Sequence, residues 1–152
     1  MKKEWTRDYA TGAFIRYANR GCPTCEEYEN RVRQDVYNRL ALLPPNIVLM
    51  KADAAIGIRK PLLDDIDAVN KTLAMFEKND QAYIAEAVKT VYYGLPEDCP
   101  PAKNELTLRV RRFAQTHFVS EISVYKGLKR ARYLFSTFHN LTIGFCDDDF
   151  LF

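Results

Sequence analysis

Residues 104–138 of this chain read NELTLRVRRFAQTHFVSEISVYKGLKRARYLFSTF. Apolar residues recur in this stretch at intervals of three and four, the spacing that places side chains on one face of an α-helix. The stretch therefore predicts two amphipathic helices, at about 104–116 and 120–138, and Asn104 and Ser120 are of the types that cap helix N-termini. The expected inward residues are Val110, Phe113 and Ala114 in the first helix and Val124, Leu128 and Phe135 in the second.

The rest of the chain shows the same helical periodicity, and no alternation of apolar and polar residues is long enough to predict a strand. Thr24 and Glu27 form a capping-box signature that opens one of these helices. The expected buried face of that helix is Tyr28, Val32, Val36, Leu40 and Leu43. The helices expected before residue 104 cover about 7–19, 25–43, 46–58, 62–78 and 81–93.

These elements predict an all-α chain, a helical bundle with a C-terminal helix-turn-helix. A length of 152 residues fits one compact core or two small helical lobes that share one. The expected segments are an N-terminal helical segment at 1–60, a helical hairpin plus helix-turn-helix at 61–140, and an acidic and aromatic tail at 141–152.

Charge is distributed unevenly along the chain. Residues 103–132 contain eight basic and two acidic residues, a net charge of +6, whereas the whole chain carries only +2. The remainder is therefore at −4. A concentration of positive charge in one short region is the electrostatic signature of a protein that binds a polyanion such as duplex DNA.

The second of the two C-terminal helices is predicted to present its polar face outward. In its first turns that face carries side chains able to reach base edges and phosphates, while arginines on both helices would neutralise the DNA backbone. The alternative is that these charges form a solvated surface. Against it, the run has one sign and lacks the interleaved glutamates of helical salt bridges. The expected outward residues are Glu121, Ile122, Tyr125, Lys126, Lys129 and Arg130, flanked by Arg109, Arg111, Arg112 and Arg132.

The motif at 120–132, SEISVYKGLKRAR, resembles the recognition helix of sigma-70 region 4. It is more similar to the phage late-gene transcription activators of the ArpU and RinA type, which share a Ser-x-x-Ser/Thr-Val-Tyr core. The helical hairpin expected at 65–93 also resembles the segment that precedes the helix-turn-helix in those proteins. The resemblance covers about half of the chain.

The resemblance implies promoter or operator binding beside RNA polymerase, and hence a transcription regulator of phage or prophage type. It places Ser123 on the DNA-facing side together with the outward residues named above. The full set of expected DNA-binding residues is Arg109, Arg111, Arg112, Ser120, Glu121, Ser123, Tyr125, Lys126, Lys129, Arg130 and Arg132.

The turn between the two helices departs from the family pattern. Where such motifs usually have Leu-Gly, this chain has His117-Phe118. Phenylalanine disfavours the positive φ that glycine adopts easily, which leaves the geometry of the turn open.

Other classes of site find less support in the sequence. Cys22-Pro-Thr-Cys25 follows a predicted helix rather than a strand, unlike the redox motif of thioredoxin-like enzymes. A zinc site would need two further ligands, and Cys99, Cys146 and the two histidines are scattered over distant segments. We expect no metal, no cofactor and no enzymatic activity.

The chain lacks an apolar run long enough to span a membrane and an apolar stretch behind its first lysines. We therefore expect a cytoplasmic protein without a membrane partner. Two alternatives to a regulator remain at this stage: a helical protein–protein interaction module that does not bind DNA, and a small metal or redox protein. The segment 1–60 is assigned helical packing, with homodimerisation as one option.

Overall fold

The computed structural model describes residues 3–97, 99, 101–102 and 104–139, with side chains from Tyr9 onward. The predicted tail at 141–152, with its cysteine Cys146, and the basic residue Lys103 lie outside the described residues.

All regular elements of the described part of the chain are α-helices, which confirms the predicted all-α class. In chain order the helices are α1 (Lys3–Asn19), α2 (Cys25–Arg39), α3 (Pro45–Ile58), α4 (Lys60–Lys78), α5 (Ala82–Val91), α6 (Glu105–His117) and α7 (Glu121–Phe138).

A search of the described helices for an apolar stretch that could cross a bilayer finds none.

The chain divides into two compact units, and the division differs from the boundary predicted near residue 60. One unit is Met1–Cys22 together with Ala68–Phe152, and the other is Pro23–Asp67. The reason is the apolar stripe of α1, which packs against α5 and α7 although these helices are distant in sequence. In the second unit α2 and α3 pack against each other.

Helix α7 lies at the centre of the larger unit, in contact with α1, α5 and α6. Its Phe135 ring meets the Phe14 ring of α1 edge to face at 5.5 Å, and Phe14 stacks on Tyr92 at 5.8 Å. Aromatic pairs in these arrangements add about 0.5–1.5 kcal/mol to the stabilisation from burial. The six residues predicted to face inward from the last two helices are all buried: Val110, Phe113, Ala114, Val124, Leu128 and Phe135.

Two of the three predicted side-chain caps are present. The Thr24 hydroxyl accepts a hydrogen bond from the Glu27 amide at 3.1 Å, and the Ser120 hydroxyl accepts one from the Ser123 amide at 3.0 Å. The predicted cap at Asn104 is wrong. Asn104 has φ +70° and its side chain makes no capping bond, because a side-chain cap requires an extended backbone at that residue.

The buried face predicted for the second helix is partly correct, since Tyr28, Val36 and Leu40 are half-buried and only Leu43 is exposed. Helix α2 ends at Arg39, so Leu43 lies beyond it in the turn before α3 and is exposed. Only Val32 of the predicted set is buried. Pro45 opens α3 as its first residue, where a missing amide hydrogen costs nothing.

Gly127 allows α7 to approach α5 closely. A Cβ atom built at Gly127 would lie 3.0 Å from Cγ1 of Ile84, a buried residue of α5. Gly57 in α3 offers a contrast, because a Cβ atom built there meets nothing within 4 Å.

We therefore expect Gly57→Ala and Gly127→Ala to change stability in opposite directions. Alanine favours a helix over glycine by about 0.5–1 kcal/mol, so Gly57→Ala should raise the free energy of unfolding by that amount. At Gly127 the overpacking against Ile84 should outweigh this gain and lower it by about 1 kcal/mol. Urea denaturation followed by circular dichroism measures both variants.

An Ile84→Ala background supplies the control, because the cost of Gly127→Ala should disappear when the opposing side chain is shortened. A gain in stability from Gly127→Ala equal to that from Gly57→Ala would contradict the close approach.

Candidate nucleic-acid interface

The turn between α6 and α7 is closed by a left-handed residue. Phe118 has φ +56°, and its amide and that of Val119 both donate to the carbonyl oxygen of Ala114, the latter at 3.1 Å. A bond spanning five residues together with a left-handed residue is the usual way to stop a helix, although glycine commonly occupies the position. The phenylalanine thus adopts the conformation that its residue type disfavours.

His117 is part of the packing of α6. Its ring stacks on the Phe113 ring at a centroid distance of 3.9 Å, and Nδ1 lies 3.1 Å from the Phe113 carbonyl oxygen. The residue therefore anchors the end of α6.

The N-terminus of α7 is held by two serines. In addition to the capping bond, the Ser120 hydroxyl donates to the Ser123 hydroxyl at 2.8 Å. Ser120 and Ser123, both predicted to contact DNA, therefore hydrogen-bond to each other within the first turn of α7. They fix the direction in which α7 begins.

Beyond this turn, α7 presents one side to solvent, which we call the outer face. Ile122, 66% exposed, and Lys126 lie near the start of this face, and Tyr133 lies about two turns beyond Lys126. These positions recur at helical spacing. Lys129 is half-buried, whereas the other members are exposed. The outer face comprises Ile122, Tyr125, Lys126, Lys129, Arg130 and Tyr133.

An ion pair ties the start of α7 to α6. Nε of Arg111 lies 3.3 Å from Oε1 of Glu121, and both side chains are about half exposed. Such a surface pair contributes less than about 1 kcal/mol, and each partner largely neutralises the other. Arg112, next to this pair, is exposed.

Two of the four arginines expected beside the outer face point elsewhere, and their prediction needs correction. Arg109 donates through NH1 to the carbonyl oxygens of Val91, at 3.0 Å, and Tyr93, and through Nε to Glu105 at 2.8 Å. It therefore closes the C-terminus of α5, where carbonyl groups lack partners within the helix. Arg132 lies on the inner side of α7 and donates to the Tyr92 hydroxyl at 3.3 Å.

Sequence reasoning missed two aromatic side chains of this region. For Phe118 the sequence pattern raised only the question of its φ angle, yet its ring is 94% exposed at the turn. Tyr133 follows Lys126 by seven residues, so the helical spacing that selected Lys126 could also have selected Tyr133.

The cysteines of the Cys22-Pro-Thr-Cys25 motif show no sign of activation. Burial is the main cause that raises the pKa of both thiols, so both groups are protonated at neutral pH and poor nucleophiles. The Cys25 thiol donates to the Leu63 carbonyl oxygen at 3.4 Å. In the part of the chain that the structure describes, no three His, Cys, Asp or Glu side chains are grouped to hold a metal ion.

Comparison of the chain with protein-family models, with curated proteins and with solved structures finds no match. The likeness to the late-gene activators therefore rests on the short motif in α7 and its helical setting. The function has to be argued from the geometry of α6 and α7.

We expect Arg109 to be a residue of the fold. Arg109→Met keeps the length of the side chain but leaves the carbonyl groups at the end of α5 without their donor, which should lower the free energy of unfolding by about 1–3 kcal/mol. Arg112→Met, at an exposed neighbouring position, should change it by less than about 0.5 kcal/mol. Thermal unfolding of the two variants makes the comparison, and equal stability would contradict the capping role of Arg109.

Proposed function

We propose that this chain is a sequence-specific DNA-binding transcription regulator of phage or prophage type, which inserts α7 into the major groove of duplex DNA. The observation that carries the proposal is the two-sidedness of α7. Its inner side closes the core of the larger unit through Val124, Leu128 and Phe135, while its outer face carries two exposed basic residues, the half-buried Lys129 and two exposed tyrosines.

The shape of this region suits a duplex. An α-helix fits the major groove when one side of it is supported by other helices and the opposite side is exposed. α7 has this support from α1, α5 and α6. The short capped turn at Ser120 leaves the first turns of α7 at the surface, where a recognition helix makes its base contacts.

The chemistry of the outer face divides into two roles. Lys126 and Arg130, both exposed, are suited to phosphate oxygens or to the acceptors of guanine. Ile122 and Tyr125 offer apolar contact for a thymine methyl group. Arg112 is placed to neutralise a backbone phosphate beside the helix.

The remaining predicted residues act indirectly in this proposal. Ser120 and Ser123 fix the start of α7, and Glu121 paired with Arg111 joins it to α6. Arg109 and Arg132 leave the set of DNA contacts, since each is bound to other parts of the fold. Action beside RNA polymerase follows from the resemblance to the late-gene activators and belongs to the same proposal.

The test is a fluorescence-anisotropy titration of the full chain with random duplex DNA at two salt concentrations, followed by sequencing of the bound fraction. Binding that falls steeply with salt and enriches one sequence supports the proposal. Lys126→Ala combined with Arg130→Ala should weaken binding and reduce the slope of log K against log salt by about 2, since each lost phosphate contact removes about 0.9.

A charge-matched control is available in Lys51→Ala combined with Lys78→Ala, which removes two exposed lysines from α3 and α4. This variant should bind with nearly the slope of the unaltered chain. Equal losses in the two double variants would show that net charge alone attracts DNA, and an absence of binding at low salt would end the proposal.

A second candidate, the protein–protein interaction module, is favoured by one observation in the smaller unit. Helix α3 exposes an apolar stripe at helical spacing, formed by Ile47, Met50, Ala54 and Ile58. Met50 is 69% and Ile58 79% exposed. An uncharged stripe can pack against the same stripe of a second copy without burying a charge, so this candidate is a homodimer through α3.

Light scattering after size-exclusion chromatography tests it. Met50→Glu combined with Ile58→Glu should convert a dimer into a monomer, because each copy would bury carboxylates against its partner. Asp53→Asn, an exposed position outside the stripe, is the control and should leave the dimer unchanged. A monomer for the unaltered chain at high concentration would remove this candidate.

A further inference from the structure

A cavity of about 550 Å³ lies within the larger unit, between α1, α6, α7 and the loop that follows α5. Its volume falls within the range of small-molecule sites, roughly 300–1,000 Å³. Most of its wall is apolar, with Ile15, Leu106, Val110 and Leu128 among the lining side chains. Arg132 and Tyr92 add polar groups to this wall.

Arg132 brings an incompletely satisfied charge to the cavity. Its Nε atom is buried and has no hydrogen-bond partner among the described residues. Its NH1 donates to the Tyr92 hydroxyl at 3.3 Å, which is a neutral acceptor. Arg132 is half-buried and the acceptor of its NH1 is uncharged, so an anion in the cavity would give its charge a partner of opposite sign.

Glu97, the carboxylate among the described residues that line the cavity, already has partners. Oε1 of Glu97 lies 3.2 Å from NH1 of Arg20, and Oε2 accepts a bond from the Asn19 amide at 3.4 Å. Glu97 is thus bound in the wall of the cavity by Asn19, the last residue of α1, and by Arg20, which follows it. Among the residues whose side chains are described, Arg132 therefore has no carboxylate partner.

We propose that this cavity binds a small apolar monocarboxylate. The hydrocarbon part would contact Ile15, Leu106 and Leu128, and the carboxylate would pair with the guanidinium group of Arg132 and accept a hydrogen bond from the Tyr92 hydroxyl. Tyr92 accepts the bond from Arg132 and so keeps its own hydrogen for donation. A guanidinium group and a hydroxyl group in the wall of a mostly apolar cavity match this class of ligand.

Tyr125 connects this site to the outer face of α7, since it lines the cavity and is also partly exposed. A ligand that moves Tyr125 would change DNA affinity, and DNA would change ligand affinity by the same factor. This extension rests on the proposed DNA-binding function. The binding of the carboxylate does not rest on that function and is measured without DNA. A failure of carboxylate binding is therefore distinguishable from a failure of DNA binding.

The experiment is isothermal titration calorimetry of the full chain with sodium octanoate and, separately, with octanol, which has the same chain but no carboxylate. Octanoate should bind saturably, and octanol about tenfold or more weakly, because a hydrogen bond to a charged group is worth a factor of this size. Arg132→Met should weaken octanoate to a similar extent. Arg130→Met, which removes an arginine from the outer face, should leave octanoate binding unchanged.

Leu106→Trp fills the cavity without changing charge and should abolish octanoate binding, so the test does not depend on Arg132→Met folding. Circular dichroism establishes that each variant has its helices. The proposal is overturned if octanoate does not bind, if octanol binds equally well, or if Leu106→Trp binds octanoate as the unaltered chain does.

Discussion

Contact between the rings of Phe14 and Phe135 holds the first helix of the chain against the last. The two residues are both fully buried, and burial of a phenylalanine side chain contributes about 1.5–3 kcal/mol. Because this contact fixes which side of α7 faces inward, it also fixes which side faces solvent. The outer face exists as a continuous surface only because Phe135, Leu128 and Val124 are committed to the core.

The same arrangement determines where the larger unit is tightly packed and where it is not. On one flank of α7 the absence of a side chain at Gly127 brings the helix against Ile84 of α5. On another flank, Leu128 and Arg132 border the cavity beside α1 and α6. Helix α7 therefore has three different environments along its length: a close contact with α5, a cavity and a solvent-exposed face.

Local sequence patterns predicted the local structure of α6 and α7 well. Apolar residues at spacings of three and four placed both helices within one residue of their observed bounds. The predicted cap at Ser120 is also correct, because such a cap depends only on the serine and on the first turn of the helix that follows it. The cap at Asn104 failed because its backbone is left-handed. Asparagine suits both an N-cap and a left-handed position, so the residue type alone did not decide between them.

Charge was the less reliable guide. A count of basic residues treats Arg109 and Arg112 alike, yet one lies beside the end of α5 and the other faces solvent. What separates them is a pair of carbonyl groups, 18 and 16 positions away in sequence, which only the fold brings near Arg109. The grouping of α1 with the C-terminal helices could not be predicted for the same reason, since it depends on contacts more than 100 residues apart.

The left-handed Phe118 at the turn has one more consequence. A glycine would adopt this backbone without the steric cost of about 1–2 kcal/mol that a Cβ atom brings, and the phenyl ring, being in solvent, returns none of that cost through packing. The ring of Phe118 therefore adds almost no packing energy to the fold. The backbone conformation of Phe118 and its exposed ring are therefore separable, so the surface at this turn can be altered while the helices on either side keep their positions.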